Sequence, residues 1–371
     1  MSVWLAAACR SAVVPRHGAF AALSLHEIAS PVIGAVLGQA GLEPGDVDEL
    51  IAGNAVGPGG NPARSLALAA GLPERVAGLT VDRQCAGGMD AILLARQMIL
   101  AGEAEIVLAG GVESSSRRPL RLRTFADGRA PEPYDQAPFT PWPGRDPGMA
   151  EAADHLAAQL GISRARQDLW AQESHRKARA ARAPEGEIVA IEGVSADPFA
   201  RDLTDRLCAR ASVVAGSVTA ANMAVAADAA AFCLVVSDRV ARRLPGRSLR
   251  LLGGVTRGGA PDCPGLAPVD AIRQVLARHG VAVAQLTLAE VMEAFAVQAI
   301  ACVEGAGLDP ERVNIAGGAL ARGHPIGASG AVNVVRLWHL LRQQGGKGLA
   351  AIAAAGGIGT ALLLEAEGSG A

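Results

Sequence analysis

The sequence predicts an α/β fold, with parallel strands joined by helices and both sheet faces covered. Apolar runs rich in Val, Ile, Leu and Ala alternate with helical patterns along most of the chain. The 45 glycines and abundant alanine, against 3% aromatic residues, suit the close backbone packing of tight strand-to-helix turns. Two distant stretches also share one order: glycine turn, helix, strand, double glycine. They are "CAGGMDAILLARQMILAGEAEIVLAGGVES" and "GHPIGASGAVNVVRLWHLLRQQGGKGLAAIAAAGGIG". A duplicated α/β unit explains that likeness.

The elements follow in order. "VWLAAACR" reads as a first strand, "SLHEIASPVIGAVLGQAG" as a helix and "VDELIAGNAV" as a strand. "NPARSLALAAG" opens a second helix, and "GLTVDR" is a strand leading to Cys85. The helix behind Cys85 should bury Ile92, Leu93 and Ile99 and stop at Gly102. From Ser114 to about Ala215 the texture changes to Pro- and Arg-rich sequence, and Ser163 then caps a charged helix, "RARQDLWAQESHRKARAARA". This reads as an inserted lobe. Strand character returns at "AAAFCLVVSDRV", and a second α/β run follows. The expected units are 1–113, completed by about 216–247; the lobe 114–215; and 248–371.

With 371 residues, 50% of them hydrophobic, the chain can bury a large core, and a net charge of −2 gives no field that would recruit nucleic acid. The N-terminal apolar run is too brief to span a membrane and lacks a basic leader. Six cysteines, Cys9, Cys85, Cys208, Cys233, Cys263 and Cys302, show no CxxC pairing. They favour a reducing cytoplasm over a disulfide framework. No His/Cys/Asp cluster has metal-ligand spacing, so no metal and no permanently bound cofactor are expected. "GGIGTA" precedes a strand rather than opening a helix, and "GPGGNPAR" lacks the Lys-Ser/Thr ending of a phosphate loop.

Cys85 stands apart from the other cysteines. At a helix N-terminus, unpaired N–H groups and the helix dipole should lower its pKa, and the N–H groups at Gly87 and Gly88 could bind a developing oxyanion. A nucleophilic cysteine needs a base, usually histidine. His155, His175 and His339 lie on helical patterns with polar neighbours, which a solvated helix face explains. His324 differs, because "GGALARGHPIGASGAVNVV" sets it among glycines ahead of another helix. It is placed either to face a pocket or merely to turn the chain.

These residues resemble the thiolase family. The resemblance rests on "GNAVGPGGNPARSLALAAGLP", "DRQCAGGMDA", "LAGGVESSS", "ISRARQDLWAQESHRKA", "EAFAVQA", "NIAGGALARGHPIGASGA" and "GGIG", which occur in the family order across nearly the whole chain. It implies a duplicated five-layered α/β/α/β/α fold with an inserted loop domain, assembled as a homodimer or homotetramer. It also implies acyl-CoA chemistry: Cys85 takes the acyl group as a thioester, His324 sits beside it, and the lobe holds coenzyme A. Arg117 and Arg118 could meet CoA phosphates, and Gly148, Met149 and Ala224 occupy substrate-facing motif positions.

The chain departs from the family where carbon acids are handled. Ala353 stands where carbon–carbon bond-forming members carry a second cysteine, and Met292 replaces the asparagine of an Asn-Glu-Ala-Phe motif. Ala355 replaces a glycine ahead of Gly356, although its backbone N–H survives. Gly148 stands where many members have histidine, and Ala224 where serine is usual. The subset that remains fits acyl transfer from a CoA or carrier-protein thioester to Cys85, then to a small-molecule acceptor needing no carbanion. A decarboxylative condensing enzyme, a thioesterase and a catalytically silent partner subunit are the competing readings.

Overall fold

The structure, a computed structural model, describes residues 2–366. The first half runs β1 (Val3–Ser11), α1 (Leu25–Ala40), β2 (Glu49–Gly53), α2 (Pro62–Ala69), β3 (Leu79–Val81), α3 (Gly87–Ala101) and β4 (Ile106–Ser114). Two further helices, α4 (Met149–Leu160) and α5 (Arg164–Ala180), precede β5 (Ala227–Ser237). The second half runs β6 (Leu249–Gly258), α6 (Ala267–Arg278), β7 (Leu286–Val291), α7 (Ala296–Ala306), α8 (Ile326–Gln344), β8 (Gly346–Ala354) and β9 (Ile358–Ala366).

Local chemistry fixes the helix ends. Ser24 caps α1 with Glu27 in a reciprocal box, and Asn61 caps α2 ahead of Pro62. Ser163 caps α5, and Gly102 ends α3 in the left-handed conformation that glycine adopts without a Cβ clash. Ile92 and Ile99 are buried on α3, whereas Leu93 is only half-buried against β6.

The strands order as β7-β8-β9-β6-β1-β5-β4-β2-β3, with Val14–Pro15 attached to β5 and Ile188–Val189 to β1. The expectation of parallel strands is corrected: only β2–β4, β2–β3 and β7–β8 are parallel among the long pairings. β5 and β9 run antiparallel to their neighbours. The reason is connectivity. Residues 355–357 alone join β8 to β9, so the chain must fold back as a hairpin. β4 and β5 form the equivalent pair in the first half, and residues 115–226 occupy the place of that short turn.

The order β1-α1-β2-α2-α3-β4-β5 is repeated as β6-α6-β7-α7-α8-β8-β9. β3 has its counterpart in a single bridge, Ala289 to Val313. The halves join where β1 pairs β6, Leu5 opposite Leu249. Three apolar cores stack across the molecule. One lies under α1 and α2, one holds α3 and α8 between the two half-sheets, and one lies under α6 and α7. This is the five-layered α/β/α/β/α arrangement.

The central layer also corrects two histidine readings. His339 is buried because α8 is covered on all sides; its Nε2 lies 2.8 Å from the Ala8 carbonyl. His175 on α5 is buried as well, its Nδ1 accepting from the Arg201 N–H, and burial pushes its pKa down to about 4. Polar neighbours misled here because they are themselves buried in pairs, as Arg336 is with Glu187 and Glu290. His155 is exposed as expected.

Candidate active site

Cys85 and His324 each lie two residues before their helices, α3 and α8, which occupy equivalent places in the two halves. Those helix starts cross in contact. A Cβ at Gly88 would lie 3.0 Å from the Ala331 side chain, and one at Gly330 would lie 2.8 Å from that of Met89. The close crossing brings Cys85 Sγ to 3.1 Å from His324 Nε2. Gln84 enters the turn with φ 50°, a left-handed conformation uncommon for a residue with a side chain.

The imidazole is oriented from behind. Ser329 Oγ donates to the Pro325 carbonyl at 3.1 Å, which leaves its lone pairs to accept from His324 Nδ1–H at 2.6 Å. That tautomer leaves Nε2 unprotonated toward the thiol. The His324 N–H donates to the Val225 carbonyl at 2.7 Å and fixes the turn.

Two buried carboxylates that the sequence reading did not single out hold the surrounding loops. Glu113 accepts from the backbone N–H groups of Ala55, Val56 and Gly327 and from Asn54 Nδ2, tying the 54–56 turn to the start of α8. Burial pushes its pKa up to about 7 against those bonds. Glu293 accepts from Trp170, Ser174, Asn314 and the Leu320 N–H, fastening α5 to the loop that leads to His324. The signal was a carboxylate inside or just beyond an otherwise apolar strand, which cannot be left unpaired.

Burial pushes the Cys85 thiol up to about 12, against the backbone N–H groups of Cys85 and Ala355 that favour its anion. Burial also pushes the His324 imidazole down to about 4. The expected lowering of the Cys85 pKa is therefore corrected: the residue precedes the helix and desolvation outweighs the nearby N–H groups. The resting pair is neutral thiol and neutral imidazole. The Gly87 N–H, one of the two expected oxyanion donors, is engaged with the Gln84 carbonyl.

Cys85 and His324 open into a cavity of about 280 Å³ lined mainly by apolar side chains. Its lining includes Ala353 and Ala355, Met149, Ala152, Ala153 and Leu156 of α4, and Ala224 and Phe295. Among the described residues, Cys85 and His324 are its only titratable lining groups. Met292 does not line it; its side chain lies in the central core and its N–H donates to Ala351. Gly356 sits in the β8–β9 turn with φ 80°, and Gly148 precedes α4 with its N–H on Glu151; neither lines the cavity. Arg117 reaches the Ala22 carbonyl beside a separate groove, and Arg118 pairs with Asp135 at 2.5 Å. Among the described residues no group of His, Cys, Asp and Glu is arranged to hold a metal ion, and no helix is long and apolar enough to cross a membrane.

Comparison with known proteins gives one answer across the chain. The family model described as "Thiolase, N-terminal domain" matches residues 3–239, and "Thiolase, C-terminal domain" matches 249–366. The chain is 36% identical over 394 aligned positions to an acetyl-CoA acetyltransferase of Chromobacterium violaceum, covering 98% of this chain and 100% of that one. The crystal structure of the Bacillus anthracis acetyl-CoA acetyltransferase superposes with a TM-score of 0.93 at 34% identity, over 98% of each chain. Human mitochondrial 3-ketoacyl-CoA thiolase in complex with CoA gives 0.92 at 29% identity, over 99% of this chain and 98% of that one.

Proposed function

The chain belongs to the thiolase family, and from that premise we propose that it is an acyltransferase working through an acyl-Cys85 intermediate. Acyl-CoA is the donor, or an acyl-carrier thioester of the same chemistry, and the acceptor is an amine, hydroxyl or thiol. The single observation that carries this is the 3.1 Å Cys85–His324 contact in an apolar cavity that has, among the described residues, no further titratable group, with Ala353 in its lining.

The steps follow from the tautomer and the pKa directions. As Cys85 Sγ attacks the thioester carbonyl, its proton passes to His324 Nε2. The carbonyl oxygen becomes an anion directed at the backbone N–H groups of Cys85 and Ala355. The bond to the CoA sulfur then breaks, and that sulfur takes the proton from Nε2. In the second half the acceptor gives its proton to Nε2 and attacks the acyl carbon. The Cys85 thiolate leaves and is reprotonated by the imidazole. No step removes a proton from carbon, because Ala353 has no group to take it. Thiolysis and Claisen condensation should be impaired by a factor on the order of 10²–10⁴.

The segment 114–215 fits a CoA-holding lobe, since α4 closes one side of the cavity. Six free cysteines suit a reducing cytoplasm, and β3, a sheet edge with half-exposed Leu79, suits a homo-oligomer. The test is the intact mass of the protein after mixing with acyl-CoAs. An acyl adduct on the wild type that is absent in Cys85→Ala and discharged by added amine, alcohol or thiol is the expected result. Absence of an adduct with every donor overturns the reading.

A further inference from the structure

The walls of the Cys85–His324 cavity are fastened unequally. Most are tied to neighbouring elements. The Ala224 N–H donates to the Ala294 carbonyl, the Cys302 thiol donates to the Gly265 carbonyl at 3.2 Å, and the Gln298 amide is engaged with Ala294 and Cys302. Leu156 of α4 packs against Gly265, where a Cβ would lie 2.6 Å from a Leu156 methyl. Gln136 and Phe139 also line the cavity, and they belong to a segment, 136–147, that is held differently. Among the described residues, no backbone N–H or carbonyl of 136–147 bonds outside the segment. The only hydrogen bonds that leave it join Arg145 to Asp262, Nε to Oδ2 at 3.2 Å and a terminal guanidinium nitrogen to Oδ1 at 3.1 Å.

Internally the segment is stiff. The Phe139 N–H lies 3.2 and 3.3 Å from the two Asp146 carboxylate oxygens, the Trp142 N–H donates to Thr140 Oγ1, and the Arg145 N–H donates to the Trp142 carbonyl. Pro138, Pro141, Pro143 and Pro147 fix their own φ and restrict the residue before each. A loop closed on itself and held to the body by one ion pair opens as a unit. Arg145 and Asp262 are 49% and 42% exposed, so solvent and salt reach the pair.

The chemistry gives such a wall a consequence. Once acyl-Cys85 has formed, water can serve in place of the acceptor. Its oxygen attacks the acyl carbon, its proton passes to Nε2, the carbon–sulfur bond breaks, the carboxylic acid leaves, and the Cys85 thiolate takes the proton back from the imidazole. Cys85 and His324 are the only titratable lining groups among the described residues, so no charge there distinguishes water from a larger acceptor. Discrimination then rests on keeping water out. Resting on the acyltransferase reading above, we infer that residues 136–147 form a flap latched by Arg145 on Asp262, and that this latch decides how the acyl group divides between acceptor and water.

The experiment loads Cys85 with excess acetyl-CoA, removes free coenzyme by desalting, and follows the adduct by intact mass in plain buffer and in coenzyme A, the thiol acceptor that reverses the loading. In Arg145→Ala and in Asp262→Ala, loss of the adduct to buffer should quicken by about 2–5-fold, the range an exposed ion pair controls, with discharge to saturating coenzyme A unchanged. Arg145→Asp combined with Asp262→Arg should return the buffer rate to that of the wild type. In the wild type, raising salt to about 1 M, where the screening length is about 3 Å, should quicken loss to buffer as the alanine substitutions do, and it should leave the alanine variants where they were. Buffer rates equal in the wild type and both alanine variants, an exchanged pair that fails to restore the rate, or a rise shared equally by discharge to coenzyme A overturns the latch while the acyl-enzyme reading stands. The salt series on the wild type decides the matter even if a variant does not fold: no salt response overturns the latch. No adduct on the wild type overturns the acyltransferase reading and the latch with it.

Discussion

Replacing His324 by alanine tests the resting proton arrangement most directly. With the Cys85 thiol held up to about 12, ~3 × 10⁻⁵ of it is thiolate at pH 7.5. The imidazole is not among the groups that set that value, so removing it leaves the thiol high. The wild type avoids the shortage by handing the proton to Nε2 as the C–S bond forms. The variant must draw on preformed thiolate. Its acylation rate should therefore fall at pH 7.5 by a factor on the order of 10²–10⁴ and rise tenfold per pH unit above that. A deficit of ~10³ at pH 7.5 would close near pH 10.5 by the same proportionality. The wild-type rate should be flat across neutral pH and decline only as the medium approaches about 4, where Nε2 becomes protonated. The assay is single-turnover acylation followed by quenched intact mass from about pH 4 to about pH 11. A wild-type limb between pH 7 and 8, or a variant profile with no slope, would refute the neutral-pair reasoning.

Further outcomes follow from other contacts. Ser329→Ala removes the acceptor that holds Nδ1–H, so kcat should fall by roughly 3–10-fold with KM little changed, read from steady-state transfer kinetics. Ala353→Cys returns a thiol to the cavity lining and should raise thiolysis of a 3-ketoacyl-CoA by a factor on the order of 10²–10⁴; a variant no better than wild type would place the block elsewhere. Burial works against the charge of Asp197, but Arg10 holds its carboxyl down to about 2. Because that folded pKa is depressed, the stabilisation is fully present above the ordinary carboxyl pKa near 4 and is lost as pH falls toward 2. Asp197→Asn should cost about 2–3 kcal/mol in urea melts at pH 7 and much less near pH 2.

The juxtaposition of Cys85 and His324 was legible in the sequence because its signals are local. Glycines behind Cys85 and around His324 mark backbone turns ahead of helices, and both helices proved to start where those glycines permit contact. The repeat of glycine turn, helix and strand likewise maps onto α3–β4 and α8–β8. What failed depends on distant partners. Strand direction required knowing that β5 folds back on β4 across 112 residues of other structure (115–226). The burial of His339 required knowing that α8 lies between two half-sheets. The pKa of Cys85 was misjudged because a helix terminus is visible in a sequence whereas desolvation by the opposite half is not. Gly265 facing Leu156 joins residues from different units and has no local signature.

The duplication also accounts for how, on the reading proposed above, one catalytic group can be absent without the rest. Each half delivers a single side chain from the residue two before an equivalent helix, Cys85 from the first and His324 from the second. On the reading proposed above the oxyanion donors are the backbone N–H groups of Cys85 and Ala355, and the second is fixed by the short β8–β9 hairpin rather than by any side chain. Alanine at 353 therefore removes a proton carrier without moving the thiol, the imidazole or either donor. On that reading the consequence falls on the acceptor, which must bring a proton on a heteroatom that Nε2 can reach. That requirement admits amines, hydroxyls and thiols and disfavours a carbon acid.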